Sequence, residues 1–127
     1  MLSPRTAYGM IAVAIILASA AQLLIKARFD ALQIGHLKEQ SLWMLIVQLL
    51  GDAGLWVAGV MMISCAVLWY AALTRLPLSF VLPATAIIAP LVSVGAYFLL
   101  GEELTLAKSA AILVIATGVA WLGYLQA

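Results

Sequence analysis

The sequence predicts an all-α integral membrane protein with four transmembrane helices. Of its 127 residues, 67% are hydrophobic and only 9% are charged, and the mean hydropathy is +1.21. Soluble domains carry about 25% charged residues, so a soluble fold of this size cannot hide so much apolar surface. Because a bilayer core needs about 20 residues per helix, four crossings use most of the chain. We therefore expect residues 1–127 to form a single membrane domain.

The few charged residues divide the chain into apolar runs that are each long enough to cross a bilayer. The first run is about 20 residues long, which exceeds the apolar region of a signal peptide, so we interpret it as a span. Four runs lack charged side chains: 6–25, 53–74, 76–101 and 109–127. The predicted helices cover about 6–27, 53–74, 77–100 and 107–126.

The segment between the first two spans has a different character. It begins with mixed charge, includes His36, the only histidine, and continues into an apolar decapeptide, Ser41 to Leu50, interrupted only by Gln48. Ten residues are too few to cross a membrane. We predict a short interfacial helix at about 41–51, with Trp43 near the headgroups, rather than an extension of the second span.

Composition also excludes several classes of function. A net charge of +1 gives no reason to expect a nucleic-acid partner. The single cysteine, Cys65, has no partner for a disulfide or a metal cluster, and His36 has no companion nucleophile. We therefore predict no catalytic residue, no metal and no cofactor. Counting lysine and arginine favours both termini facing outward, although dual topology and the opposite orientation stay open.

In the third helix, small, polar and proline residues gather on one side. At 100° per residue, six of them fall near one line. Each proline frees a backbone carbonyl that lipid cannot satisfy, so the line should face protein or a cavity. It is interpreted either as a packing surface or as the wall of a substrate path. Its members are Ser79, Pro83, Ala86, Pro90, Ser93 and Tyr97.

A second polar line runs along the first helix. The Gln22 amide and the Lys26 ammonium lie one turn apart, and together they can hold an anionic headgroup. Alternatively, Lys26 alone can extend its side chain to the membrane interface. The deeper amide must bond a neighbouring helix or a substrate. The line comprises Tyr8, Ala12, Ile15, Ser19, Gln22 and Lys26.

Aromatic residues and an arginine end the second helix. Trp69 and Tyr70 are typical of a membrane interface, and Arg75 is typical of an orientation signal. The alternative is that these three side chains hold a sugar or phosphate at the mouth of a cavity, by stacking and by forked hydrogen bonds.

Two carboxylates precede the fourth helix. Glu102 and Glu103 place negative charge near a helix amino terminus that Thr105 can cap. They are also candidates to pair with an amine on a substrate or to carry a proton.

These motifs together resemble the four-helix branch of the drug/metabolite transporter superfamily, the EamA-like proteins related to small multidrug exporters. The closest likeness is to the two subunits of the flippase for undecaprenyl-phosphate aminoarabinose. The exporters carry a glutamate in the middle of the first helix, where this chain has Ala18 and Ser19. The matching segments are residues 68–79, 81–83 and 101–102, Ser19 to Gln22 with Lys26, and the Trp69–Tyr70 pair.

This resemblance implies a transporter of the bacterial inner membrane that moves a lipid-linked sugar. Since four helices enclose little space, one chain should be half of a homodimer, for which an antiparallel arrangement is open, or of a heterodimer with a similar subunit. The implied binding residues are Ser19, Gln22, Lys26, Trp69, Tyr70, Arg75, Ser79, Pro83, Glu102 and Glu103. Two alternatives are open: an exporter of a small metabolite or cationic drug, and a non-transporting accessory subunit.

Overall fold

The computed structural model describes residues 3–34 and 41–126, and every regular element in these ranges is a helix. Residues Thr85–Ile87 form a 3₁₀ turn, and residues Ala96–Leu100 form a π-helical turn. The helices are α1 (Pro4–Ala31), α2 (Leu42–Gly51), α3 (Ala53–Leu73), α4 (Leu78–Ala84), α5 (Ile88–Gly95) and α6 (Leu106–Gln126).

The predicted all-α fold with four membrane-length helices is confirmed. Each of four segments is long and apolar enough to cross a bilayer, and the third of them comprises α4, α5 and the two irregular turns. These segments are Pro4–Ala31, Ala53–Leu73, Leu78–Leu100 and Leu106–Gln126.

Helix α1 is longer than the sequence predicts. It continues past residue 27 to Ala31, and near this end Lys26 and Asp30 lie one turn apart and bond at 2.8 Å. It ends where Gln33 adopts a φ of 53°. Its 28 residues span about 42 Å, against a bilayer core of about 30 Å, so both ends of α1 reach the headgroup level.

The predicted short helix at 41–51 is present as α2. The Ser41 hydroxyl accepts a hydrogen bond from the Met44 N–H at 3.4 Å and caps its first turn. The helix is separate from α3 because Asp52 is extended between them, with φ −96° and ψ 115°. Trp43 is 72% exposed, and its depth in a membrane stays a prediction. His36 lies outside the described residues.

A seam of small side chains joins α1 to α3. The buried residues of α1 recur every three or four positions, which places them on one face of the helix. Ala58 and Ala72 are the buried residues of α3. Alanine permits two backbones to approach closely, and this contact is the most extensive between helices. The buried α1 residues on this face include Ala7, Ile11, Ala14, Ala18 and Ala21.

Helix α1 is therefore central, with α3 packed on one side and α5 on another. Helix α6 packs against α4 and α5, and none of its residues is fully buried. Of the small α6 residues, Ala116 and Gly123 are half-buried, whereas Gly118 and Ala120 are exposed. Hence the outer faces of α3 and α6 are open to lipid or to another subunit.

The third span is interrupted between its two prolines. Helix α4 ends one residue after Pro83, and the Thr85 hydroxyl donates to the Leu82 carbonyl at 2.6 Å. Pro90 lies in the first turn of α5, where a missing N–H costs little. At the far end Gly101 adopts a φ of 67°, and the Glu102 N–H donates to the Ala96 carbonyl.

Gly95 permits the contact between α5 and α1. A Cβ atom at this position would lie 2.4 Å from a methyl carbon of Leu23. We expect Gly95→Ala to lower stability by about 1 kcal/mol, because the Leu23 side chain must shift within the contact between α5 and α1. Unfolding in detergent followed by circular dichroism measures this loss. Gly59→Ala is the matched control, since its added Cβ meets no atom within 4 Å, and equal stability of the two variants would contradict the packing argument.

Candidate functional site

The predicted binding residues fall into two groups at opposite ends of the helix bundle. Lys26 and Glu102 lie at the end where α1 finishes, whereas Trp69 and Arg75 lie near the end where α1 begins. Tyr8 and Lys26 are separated by about 27 Å along α1, because an α-helix rises about 1.5 Å per residue. The structure does not bring these residues into one constellation within a single chain.

At the first of these ends, Lys26 forms an exposed ion pair. Its ammonium donates to Asp30 at 2.8 Å, and the two side chains are 52% and 46% exposed. Glu102 lies within electrostatic reach of the same ammonium, and it is exposed, as is Glu103. An exposed pair is held weakly, so the ammonium is available for exchange with another anion. We call the group Lys26, Asp30 and Glu102 the charged end.

A second ion pair at this end is more deeply set, and the sequence analysis did not assign it. The Arg28 guanidinium donates to both carboxylate oxygens of Asp52 in a forked arrangement, and Asp52 is only 7% exposed. The Arg28 stem passes so close to Gly54 that a Cβ there would lie 2.7 Å from it. Asp52 also accepts from the Leu55 N–H at 2.9 Å and caps α3.

The environment of Asp52 favours its ionised form. The hydrogen bond from Arg28 lowers the pKa of Asp52, with smaller contributions from the backbone N–H groups of Leu55 and Gly54. The pair thus ties the end of α1 to the start of α3. An aspartate directly before an apolar run is a recognised cap signal, but its partner, 24 residues away, carries no local sequence signature.

The predicted cap of the fourth helix is confirmed. The Thr105 hydroxyl accepts from the Lys108 N–H at 3.3 Å, and its carbonyl accepts from the Ser109 N–H at 2.9 Å. Glu102 and Glu103 precede this cap. The role of either carboxylate toward a substrate stays a prediction.

The two other polar residues of the α1 line differ in burial. Ser19 is buried, and its hydroxyl donates to the Ile15 carbonyl at 2.8 Å, so its proton is bonded within the helix. Gln22 is exposed and has no hydrogen-bond partner among the residues that the structure describes. Gln22 and Lys26 are therefore the accessible polar groups in the second half of this line.

At the opposite end, Trp69 and Tyr70 have different surroundings. Trp69 packs against a small core of Ala72, Leu76 and Val81, whereas Tyr70 is 65% exposed. The two rings meet edge to face with centroids 5.1 Å apart. Trp69 thus has a packing contact, and Tyr70 is the accessible aromatic of the pair.

The polar line of the third span does not face protein along its whole length. Pro90 is buried and Ser93 half-buried, whereas the remaining members, and Arg75 in the preceding turn, are exposed. The 3₁₀ turn at 85–87, with 3.0 residues per turn, rotates α4 relative to α5 and so turns Ser79 and Pro83 away from the side of Pro90. The exposed members are Ser79, Pro83, Ala86 and Tyr97.

An apolar cleft opens beside α1 near the charged end. It has a volume of about 350 Å³ and lies between α1 and the π-helical turn. Glu102 follows its last lining residue, Leu100, by two positions and lies within electrostatic reach of Lys26. A cleft of this composition can hold a hydrocarbon chain beside a charged headgroup. Its lining is Ala20, Leu23, Leu24, Ala27, Leu99 and Leu100.

Four membrane-length helices with an apolar outer surface, and charges gathered beyond the helix centres, are the features of a multi-pass membrane protein. Comparison with family models, with curated proteins and with solved structures gave no match. The function is therefore argued from the clefts and the charges of this chain.

Proposed function

We propose that this protein is a subunit of a flippase that carries a polyprenyl-phosphate-linked sugar, of the aminoarabinose type, across a bacterial inner membrane. The observation that supports this proposal best is the apolar cleft beside the charged end. A lipid-linked sugar needs a hydrocarbon site for its tail and a charged site for its phosphate. An apolar cleft and an exposed ion pair lie together at one end of this chain, which supports the proposal.

In this proposal the tail lies in the cleft, and the headgroup reaches the charges beyond it. The Lys26 ammonium exchanges Asp30 for the phosphate, at little cost because the pair is exposed. The exposed Gln22 amide bonds sugar hydroxyls, and Glu102 pairs with an amine on the sugar. The tail remains in apolar surroundings, either the cleft or the lipid, during transport, so only the headgroup needs a polar route across the bilayer.

We propose further that one chain forms half of the route. Within the chain, the polar groups at the two ends lie about 27 Å apart along α1, and the residues that the structure describes form no continuous polar path between them. The open outer faces of α3 and α6 provide room for a second copy or for a similar four-helix subunit. The headgroup would then be contacted, at the end of the bundle where α1 begins, by the exposed residues Tyr70, Arg75, Ser79 and Pro83.

The assignment of the headgroup site is tested by reconstituting the protein in liposomes with a labelled polyprenyl-phosphate sugar. We expect a Gln22→Ala, Lys26→Ala double variant to flip the lipid at least about tenfold more slowly, because one charge-assisted contact and one amide contact are lost. Lys108→Gln removes an exposed lysine elsewhere and should leave the rate unchanged. Equal rates for the wild type and the double variant would refute the site.

A further inference from the structure

A second pocket lies at the end of the molecule where α1 begins, outside the proposed headgroup site. It has a volume of about 420 Å³ and is lined by Tyr8 of α1, Phe80 of α4, and Gly123 and Gln126 of α6. The Tyr8 and Phe80 rings meet edge to face, with centroids 5.5 Å apart, and form one wall. No atom lies within 4 Å of a Cβ built on Gly123, so the opposite wall is open.

The polar groups of this pocket suit a headgroup that both accepts and donates hydrogen bonds. Tyr8 supplies a hydroxyl and Gln126 an amide. The last carbonyls of α6 have no partner within the helix and need donors from elsewhere. A phosphodiester with hydroxyl groups beyond it provides acceptors and donors together.

The charges at this end favour an anion. Among the described residues, all four acidic side chains lie toward the opposite end of the bundle, and neither Arg5 nor Arg75 has a carboxylate within salt-bridge distance. Arg5 precedes Tyr8 by three residues, so the two share one face of α1. The positive end of the α1 dipole lies in the same turn.

The pocket also lies at the right depth. Tyr8 is about 6 Å from the start of α1, and α1 is about 12 Å longer than the bilayer core. Tyr8 is therefore close to the boundary between headgroups and hydrocarbon, where a tyrosine is favoured. A lipid can place its phosphate beside Arg5 without leaving its leaflet.

From these observations we propose that the pocket of Tyr8, Phe80, Gly123 and Gln126 binds the phosphodiester headgroup of an anionic membrane lipid. Arg5 pairs with the phosphate, Tyr8 and Gln126 bond the headgroup oxygens, and the hydroxyl groups donate to the end of α6. This site does not depend on the proposed flippase activity.

The test uses the full chain in mild detergent with phosphatidylglycerol or phosphatidylcholine, and native mass spectrometry to count the lipids retained. Gly123→Leu fills the pocket and keeps the headgroup out of it. We expect this variant to reduce retained phosphatidylglycerol about tenfold, since the excluded lipid loses its charge-assisted contact with Arg5. Gly118→Leu is the matched control on the same helix, where an added Cβ also meets no atom, and it should retain the lipid.

A second variant keeps the proposal testable if Gly123→Leu does not fold. Arg5→Gln should reduce retention of phosphatidylglycerol and leave that of phosphatidylcholine unchanged. Equal retention of phosphatidylglycerol by Arg5→Gln and the wild type would overturn the proposal. Free glycerol phosphate tests whether the pocket binds a soluble phosphate rather than a lipid. Displacement of the lipid by glycerol phosphate at equal concentration would overturn a lipid site in favour of a soluble ligand.

Discussion

Replacing Arg28 with alanine should lower the melting temperature of the protein more than replacing Lys26 does. Arg28→Ala leaves Asp52 almost fully buried without its forked partner, whereas Lys26→Ala leaves Asp30 well exposed to water. An unpaired buried carboxylate is costly, and an exposed one is not. Circular dichroism in detergent gives the two melting temperatures, and equal values would contradict the proposed role of the buried pair.

Two further measurements separate this ion pair from general packing. Arg28→Lys keeps the charge but loses the fork, so its melting temperature should lie between those of Arg28→Ala and the wild type.

Since the pKa of Asp52 is lowered in the folded protein, its stabilising contribution is present above the ordinary aspartate pKa of about 3.9 and is lost as the pH falls through the folded value. The gap between wild type and Arg28→Ala should therefore narrow below about pH 4.

The second large effect concerns transport. Ala20 is exposed within the apolar cleft, and Ala20→Trp places an indole where the lipid tail is proposed to lie. We expect flipping of a lipid-linked sugar to fall at least about tenfold, because the tail can no longer enter. The rate in liposomes is the measurement, and the melting temperature should change little since Ala20 has room beside it.

Ala12→Trp is the matched control for this variant. Ala12 is also exposed on α1, about two turns earlier, and lies outside the cleft. The control should flip the lipid at the wild-type rate. If Ala12→Trp and Ala20→Trp slow transport equally, bulk on α1 matters and the cleft is not the tail site.

The helices themselves could be predicted because their signals are local. Charge-free runs of about 20 residues indicate the four spans, and Ser41 and Thr105 stand where caps are expected. The α1 residues that pack on α3 also have a visible signal, since Ala7, Ala14 and Ala21 recur at heptad spacing. The polar line predicted along α1 did not include this apolar seam.

The arrangement of the helices could not be predicted in the same way, because it depends on contacts between distant residues. Arg28 meets Asp52 only because α1 and α3 pack side by side, and Gly54 gives no sign of the arginine stem that crosses it. The rotation at residues 85–87 similarly turns Ser79 away from the line that a regular helix predicts. The division of the predicted binding residues between two ends has a different cause, since Lys26 and Arg75 stand at the ends of two successive spans.

The flippase proposal is tested most directly by the wild-type protein in sealed liposomes, with two labelled cargoes that carry the same sugar phosphate. One cargo has a polyprenyl tail and the other has none. The proposal predicts that the tailed lipid crosses faster than in protein-free liposomes while the tailless sugar phosphate does not cross. Transport of the tailless cargo at the same rate, or no acceleration of the tailed lipid, would contradict it.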